Sequence, residues 1–66
     1  MVSYKKLWKL LIDRGIKKKD LCRGANISPA TVTKMGKQGH ISTLVVERIC
    51  LFLECSPNDI MEFILG

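Results

Sequence analysis

The stretch GANISPATVTKMG at residues 24–36 constrains the fold of this 66-residue chain more than any other. Asn26 is the residue type, other than glycine, that best accepts the left-handed backbone conformation with which helices end. Ser28 is a favoured helix N-cap, and Pro29 directly after it suits the first helical position, where its missing N–H is not needed. The stretch therefore predicts a helix, a tight turn and a second helix.

Apolar residues recur at helical spacing on both sides of this turn, and Ile27 between them is expected to fill the corner. The spacing predicts helices over residues 18–25 and 29–35. Their inward-facing residues are Leu21, Cys22, Ala25, Val32 and Met35. Gly24 lowers the helix propensity of the first of them, which indicates either close approach by a neighbouring helix or a weak position.

Three further helices are expected, which makes five helices and no strand. The fourth runs from a cap at Ser42 or Thr43 to about Glu54, and the fifth opens at Ser56. Their apolar stripes are Tyr4, Leu7, Trp8 and Leu11 for the first, Val46, Ile49, Cys50 and Leu53 for the fourth, and Ile60, Phe63 and Ile64 for the fifth. The pattern predicts a single all-α domain over residues 1–66.

The net charge of +5 is unevenly distributed along the chain. Residues 1–37 carry ten Lys/Arg and two acidic residues, for a net charge of +8, whereas residues 38–66 carry one Arg and four acidic residues, for a net charge of −3. Such an excess of positive charge in one half suits either contact with a polyanion or a solvated cationic face that maintains solubility.

Three cysteines, Cys22, Cys50 and Cys55, lie in or beside apolar stripes without C-x-x-C spacing. They are expected to be free thiols that pack as small hydrophobes, which favours the reducing cytoplasm. No apolar segment approaches the ~20 residues of a transmembrane helix, so no membrane partner is expected. The amino terminus also lacks the cleavage-site pattern of a signal peptide.

No catalytic constellation is recognisable in the sequence. His40 is the single histidine and does not complete a metal-ligand set with the cysteines. The sequence also lacks paired carboxylates at a plausible pocket and a Gly-rich phosphate loop after a strand. We therefore expect neither enzymatic activity nor a bound metal, cofactor or small-molecule ligand.

The segment KKDLCRGANISPATVTKM at residues 18–35 resembles the helix-turn-helix of the Cro/CI (Xre-like) family of transcriptional regulators. The family's packing, turn and cap positions are occupied here by Leu21, Cys22, Ala25, Asn26, Ile27, Ser28, Val32 and Met35. With the later helices included, the resemblance covers about residues 4–64. It implies a compact five-helix domain of the lambda-repressor type, which places the second helix of the motif in the major groove of double-stranded DNA.

The resemblance also implies which residues meet DNA. The base-reading residues would be Ala30, Thr33 and Lys34. Pro29 stands where the family commonly has a long polar residue, which either reduces the sequence specificity or shifts base reading toward Thr31, Thr33 and Lys34. Contacts to the phosphates, or at the turn that leads into the groove, are expected from Lys17, Lys18, Lys19, Ser28, Lys37, Gln38, Ser42 and Thr43.

The run Lys17–Lys18–Lys19 is either a solvated helix start or a phosphate-binding cluster. Three positive charges at the first turn of a helix oppose its dipole. Because the three charges do not stabilise the helix itself, their presence favours the phosphate-binding interpretation.

The last two predicted helices carry more apolar residues than one stripe needs. Leu44 and Leu51 share a second face, and Met61 and Leu65 also lie off the stripes. These residues are either ordinary scattered exposed side chains or a second buried face. In the second case they predict a homodimer, suited to repression by operator occupancy, or a surface that binds another protein, as in antitoxin-like or anti-repressor-like modules.

Overall fold

The computed structural model describes residues 1–66 and contains four α-helices, one 3₁₀ turn and one small β-sheet. The elements are, in chain order, β1 (Val2–Ser3), α1 (Lys5–Arg14), α2 (Lys18–Ala25), α3 (Pro29–Gly36), α4 (Thr43–Leu53), the 3₁₀ turn (Pro57–Asp59) and β2 (Glu62–Phe63). The helices predicted over residues 18–25 and 29–35 are confirmed as α2 and α3, the latter one residue longer. None of the four helices is both long and apolar enough to span a bilayer.

One apolar core connects β1, all four helices and the segment that follows the 3₁₀ turn. Its twelve buried residues are Val2, Tyr4, Leu7, Leu11, Leu21, Ala25, Ile27, Val32, Met35, Ile49, Leu53 and Ile60. The predicted stripes supply most of them. The stripe of α4 is shallower than predicted, because Val46 and Cys50 are only half-buried.

The prediction of a fifth helix is wrong, and so is the prediction that the chain contains no strand. Pro57–Asp59 makes a single 3₁₀ turn, after which the chain extends and β2 pairs antiparallel with β1. Val2 lies opposite Phe63, and Ser3 lies opposite Glu62. The free backbone groups of the amino-terminal strand offer hydrogen bonds that a continued helix would leave unmade.

The exposure of the carboxyl-terminal apolar residues follows from this pairing. Ile60 is buried as predicted, whereas Phe63 is 63% exposed and Ile64 is 45% exposed, so these two were wrongly assigned to the core. The 3₁₀ turn itself is closed by Ser56, whose backbone N–H and hydroxyl both donate to the Asp59 carboxylate at 3.0 and 3.1 Å. These hydrogen bonds lower the pKa of Asp59.

All four helices end in the same way, with one residue in the left-handed conformation. These residues are Gly15, Asn26, Gln38 and Glu54, with φ angles of 67, 56, 60 and 52°. In each case the next residue donates its N–H to the carbonyl five positions back, a Schellman closure. The four hydrogen bonds are Ile16 to Leu11 (2.9 Å), Ile27 to Cys22 (3.0 Å), Gly39 to Lys34 (2.9 Å) and Cys55 to Cys50 (3.1 Å).

The α4 closure brings two of the cysteines together. All three cysteines are free and half-buried. Burial, together with the neighbouring Cys55 and Asp59, raises the pKa of the Cys50 thiol to about 11. A thiol in that range stays protonated near neutral pH and packs as a small hydrophobe.

Gly24 on α2 lies directly against the Phe52 ring of α4. A Cβ atom at this position would lie 2.2 Å from Cε1 of the Phe52 ring. Of the two interpretations of Gly24, close approach by a neighbouring helix is therefore the correct one. Phe52 lies outside the predicted stripe of α4 and is 38% exposed, which leaves its ring room to move toward solvent.

Gly24→Ala is expected to lower the free energy of unfolding by about 1 kcal/mol, because displacing the Phe52 ring costs more than the better helix propensity of alanine gains. In a Phe52→Ala background the same change is expected to raise it by up to about 1 kcal/mol, because only the better helix propensity of alanine remains. Urea denaturation followed by circular dichroism measures both effects. The same sign in the two backgrounds would contradict the packing argument.

Candidate nucleic-acid interface

The turn between α2 and α3 is held at both of its ends. Asn26 takes the predicted left-handed conformation and ends α2. The predicted cap is also confirmed, since Ser28 Oγ accepts a hydrogen bond from the Thr31 backbone N–H at 3.2 Å. Ile27 between them is buried, as expected for the residue that fills the corner. These contacts fix the direction in which α3 leaves the turn.

Arg48 on α4 also braces this turn, although sequence reasoning did not identify it. Its guanidinium donates to the Asn26 carbonyl at 3.3 Å. The carbonyl belongs to the left-handed residue, which has no partner for it within α2. This contact could not be predicted from the sequence, because the two residues are 22 positions apart. A side chain that donates to a backbone carbonyl also leaves no recognisable sequence pattern.

The outer face of α3 is exposed along its length, while its inner face is anchored in the core. Val32 and Met35 are buried, with Met35 only 1% exposed. The expected base-reading residues Ala30, Thr33 and Lys34 are all exposed, and so is Pro29. Thr31 is half-buried. The buried inner face holds α3 against the core and leaves the side chains of its outer face accessible.

The hydroxyl groups of α3 are engaged in local hydrogen bonds. Thr33 Oγ1 donates to the Pro29 carbonyl at 3.1 Å, one helical turn back. Thr31 Oγ1 and Ser28 Oγ share a hydrogen bond at 2.9 Å. Threonine and serine commonly satisfy backbone groups in this way. The proton of the Thr33 hydroxyl is therefore not free for another acceptor.

Lys34 lies against the loop that follows α3. Its backbone carbonyl accepts from Gly39, and a Cβ atom at Gly39 would lie 2.6 Å from Lys34 Cγ. Only glycine leaves room there for the aliphatic stem of the lysine. Lys37 is exposed beside it, and Gln38 is the half-buried left-handed residue. The loop thus groups Lys34, Lys37 and Gln38 at one end of α3.

The lysine run at the start of α2 does not behave as one unit. Lys17 and Lys19 are exposed, and the Lys17 backbone N–H donates to the Asp20 carboxylate at 3.2 Å. Lys18 instead places its ammonium 4.7 Å from the centre of the Trp8 ring, a cation–π contact. Lys18 therefore has a partner within the chain, and the half-buried Trp8 packs at the edge of the core, as expected.

Ser42 and Thr43 are exposed at the start of α4, and Ser42 rather than Thr43 is its N-cap. Its hydroxyl accepts from the Val45 N–H at 3.3 Å. The backbone N–H groups of the first turn point out of the helix and give this end a partial positive charge.

A groove of about 970 Å³ runs along α4 and is separate from the outer face of α3. Two residues predicted for a dimer interface, Leu51 and Met61, line this groove. Phe63, which was not predicted for that interface, also lines it. Leu44 and Leu65 are 53% and 90% exposed but do not line the groove. The acidic residues Glu47 and Glu54 also line it.

Comparison with known proteins identifies the same architecture. A family model described as a Cro/C1-type HTH DNA-binding domain matches residues 6–65. The crystal structure of the transcriptional regulator VanUg, Form II, superposes with a TM-score of 0.92 at 45% sequence identity, covering 98% of this chain and 87% of that chain. A search of curated proteins found no match.

Ser28→Ala is expected to lower the free energy of unfolding by about 1 kcal/mol, because the Thr31 N–H loses its acceptor. Ser28→Asn is expected to keep the stability within a few tenths of a kcal/mol, because asparagine caps equally well. Chemical denaturation of the two variants beside the parent protein measures the difference. An equal loss for both would mean that the hydroxyl is needed for its contact with Thr31 rather than as a cap.

Proposed function

This chain belongs to the Cro/C1-type helix-turn-helix DNA-binding family, and we propose that it regulates transcription by sequence-specific binding of duplex DNA with α3 in the major groove. The observation that carries the proposal is the outer face of α3, on which Pro29, Ala30, Thr33 and Lys34 are exposed while the inner face is buried in the core. In helix-turn-helix proteins the first turns of the second helix meet the base edges.

Base contacts are assigned to Ala30, Thr33 and Lys34. The Lys34 ammonium would donate to the guanine acceptors of the major groove, whereas an alanine methyl suits the 5-methyl group of thymine. Pro29 lies beside these residues and contributes shape, since its side chain has no donor. Thr31 lies between Ala30 and Thr33 and is half-buried, with its hydroxyl in a hydrogen bond with that of Ser28.

Phosphate contacts are assigned to the cationic and helix-end groups that surround α3. The contributors would be Lys17, Lys19, Lys37, Gln38, Ser42 and Thr43. Lys18 can join them with its ammonium held in place over Trp8, which reduces the entropy lost on binding. Such contacts set the position and affinity of the protein on DNA without reading the sequence.

Repression by occupancy is the mode of regulation that we propose, with the protein acting as a homodimer in the cytoplasm. A two-fold dimer would present two copies of α3 to an inverted repeat. The exposed residues Leu44, Leu51 and Leu65, with the half-buried Met61, supply apolar surface for the second copy. Bound over a promoter, such a dimer would exclude polymerase by its position alone.

A protein-binding role is the second candidate, and the groove along α4 favours it. The groove is lined by apolar residues, among them Leu51, Met61 and Phe63, and by the acidic residues Glu47 and Glu54. An amphipathic helix with a basic rim would complement both features. In this role the protein would act as an antitoxin-like or anti-repressor-like partner, and α3 would be dispensable for binding.

Selection of bound sites from a random duplex pool is expected to enrich inverted half-sites about one helical turn apart, because that spacing mirrors a two-fold dimer. On the enriched duplex, Lys34→Ala is expected to weaken binding by about 1–2 kcal/mol. Fluorescence anisotropy measures both dissociation constants.

Lys9→Ala is the matched control for Lys34→Ala. Lys9 is an exposed lysine on α1 that lines a separate cleft with Leu10 and Asp13, so its loss should change the affinity by less than about twofold. Equal affinities for the parent protein and the Lys34→Ala variant would show that α3 does not read the duplex.

Leu51→Glu is expected to convert a dimer into a monomer, because it adds a third carboxylate beside Glu47 and Glu54 and forces that charge out of water. Sedimentation equilibrium measures the change in mass. Ile12→Glu is the control, since Ile12 is 78% exposed on α1 and does not line the groove. A parent protein that stays monomeric with and without the selected duplex would exclude the dimer.

A further inference from the structure

The exposed first turns of α3 offer unusually few hydrogen-bond donors. Pro29 has no N–H, and the Ala30 side chain is a methyl group. The only exposed hydroxyl on this face, that of Thr33, donates to the Pro29 carbonyl at 3.1 Å. What remains on this surface is the proline ring, the alanine methyl, and the methyl and acceptor oxygen of threonine. Lys34 at the end of the face is its one charged donor.

We propose that α3 reads the 5-methyl groups of thymine: the half-site would place thymines opposite Ala30 and Thr33 and a guanine opposite Lys34. The proposal rests on the proposed function, because it names the class of base steps that the same face recognises. Thymine is the base that presents a methyl group in the major groove of unmodified DNA.

The alternative is that Thr33 reads a base through its hydroxyl. For the hydroxyl to donate, its hydrogen bond to the Pro29 carbonyl would first have to break, and that carbonyl would need a new partner beside the DNA. Contact through the methyl group leaves the helix as it stands. Burial of one methyl-sized group against another corresponds to about a fourfold change in affinity.

The test uses two random duplex pools that differ only in the methyl group. One pool contains thymine, and the other contains uracil at every thymine position, which keeps the hydrogen-bonding edges identical. Enrichment from the thymine pool of half-sites with adjacent A·T pairs is expected. The enriched duplex, remade with uracil at the contacted positions, is expected to bind about fourfold more weakly for each methyl group removed.

Two variants of Thr33 separate the methyl from the hydroxyl. Thr33→Val keeps a methyl and removes the hydroxyl, so its affinity for the thymine duplex is expected to stay within about twofold of the parent. Thr33→Ser keeps the hydroxyl and removes the methyl, so it is expected to lose about fourfold. On the uracil duplex, Thr33→Ser and the parent protein are expected to bind equally. Circular dichroism confirms that both variants keep their helices.

The outcomes distinguish this proposal from the function on which it rests. If both pools yield the same motif with equal affinity, or if Thr33→Val rather than Thr33→Ser loses binding, methyl reading is overturned while sequence-specific DNA binding stands. If neither pool is enriched, both the methyl reading and the proposed function are overturned.

Discussion

The left-handed residue at the end of each helix is the constraint on which the rest of the structure depends. Four helices have to reverse direction within 66 residues, and each does so by one Schellman closure with the next N–H bonded five residues back. Only Gly15 adopts this conformation without a side chain, since Asn26, Gln38 and Glu54 all carry one. Outside glycine and asparagine the conformation costs about 1–2 kcal/mol, and tertiary packing has to offset it.

Packing of α2 against α4 holds the turn between α2 and α3 in place. The absence of a side chain at Gly24 lets the Phe52 ring lie directly on α2, and Arg48 bonds the carbonyl of the turn residue Asn26. Both contacts come from α4, so the turn into α3 is fixed by a helix outside the motif. The direction of α3, and with it the surface offered to a partner, is therefore a property of the whole core.

The chemistry of the α3 surface follows from the interactions that stabilise the helix. Ser28 caps the helix by accepting from the Thr31 N–H, and the Thr33 hydroxyl donates to the Pro29 carbonyl. Pro29 begins the helix without a backbone N–H. Each of these choices strengthens a short helix of eight residues, and those at Pro29 and Thr33 also leave its exposed face with fewer free donors. The exposed face of α3 is thus composed mainly of the proline ring and methyl groups, with Lys34 as its charged donor.

The sequence by itself determined the helix-turn-helix. Asn26, Ser28 and Pro29 act through local geometry, and the inward residues of α2 and α3 repeat at helical spacing, so both helices could be located without a structure. The same periodicity predicted that Ala30, Thr33 and Lys34 on α3 are exposed.

Local rules failed after Pro57, where the apolar spacing of Ile60, Phe63 and Ile64 indicated a helix but the chain pairs with Val2–Ser3 instead. Likewise, only the tertiary structure placed Lys18 over Trp8 and Arg48 on the Asn26 carbonyl. The physical reason is the same in each case: a partner distant in sequence leaves no periodic trace, and its hydrogen bonds or contacts outweigh the small free energies of local propensity.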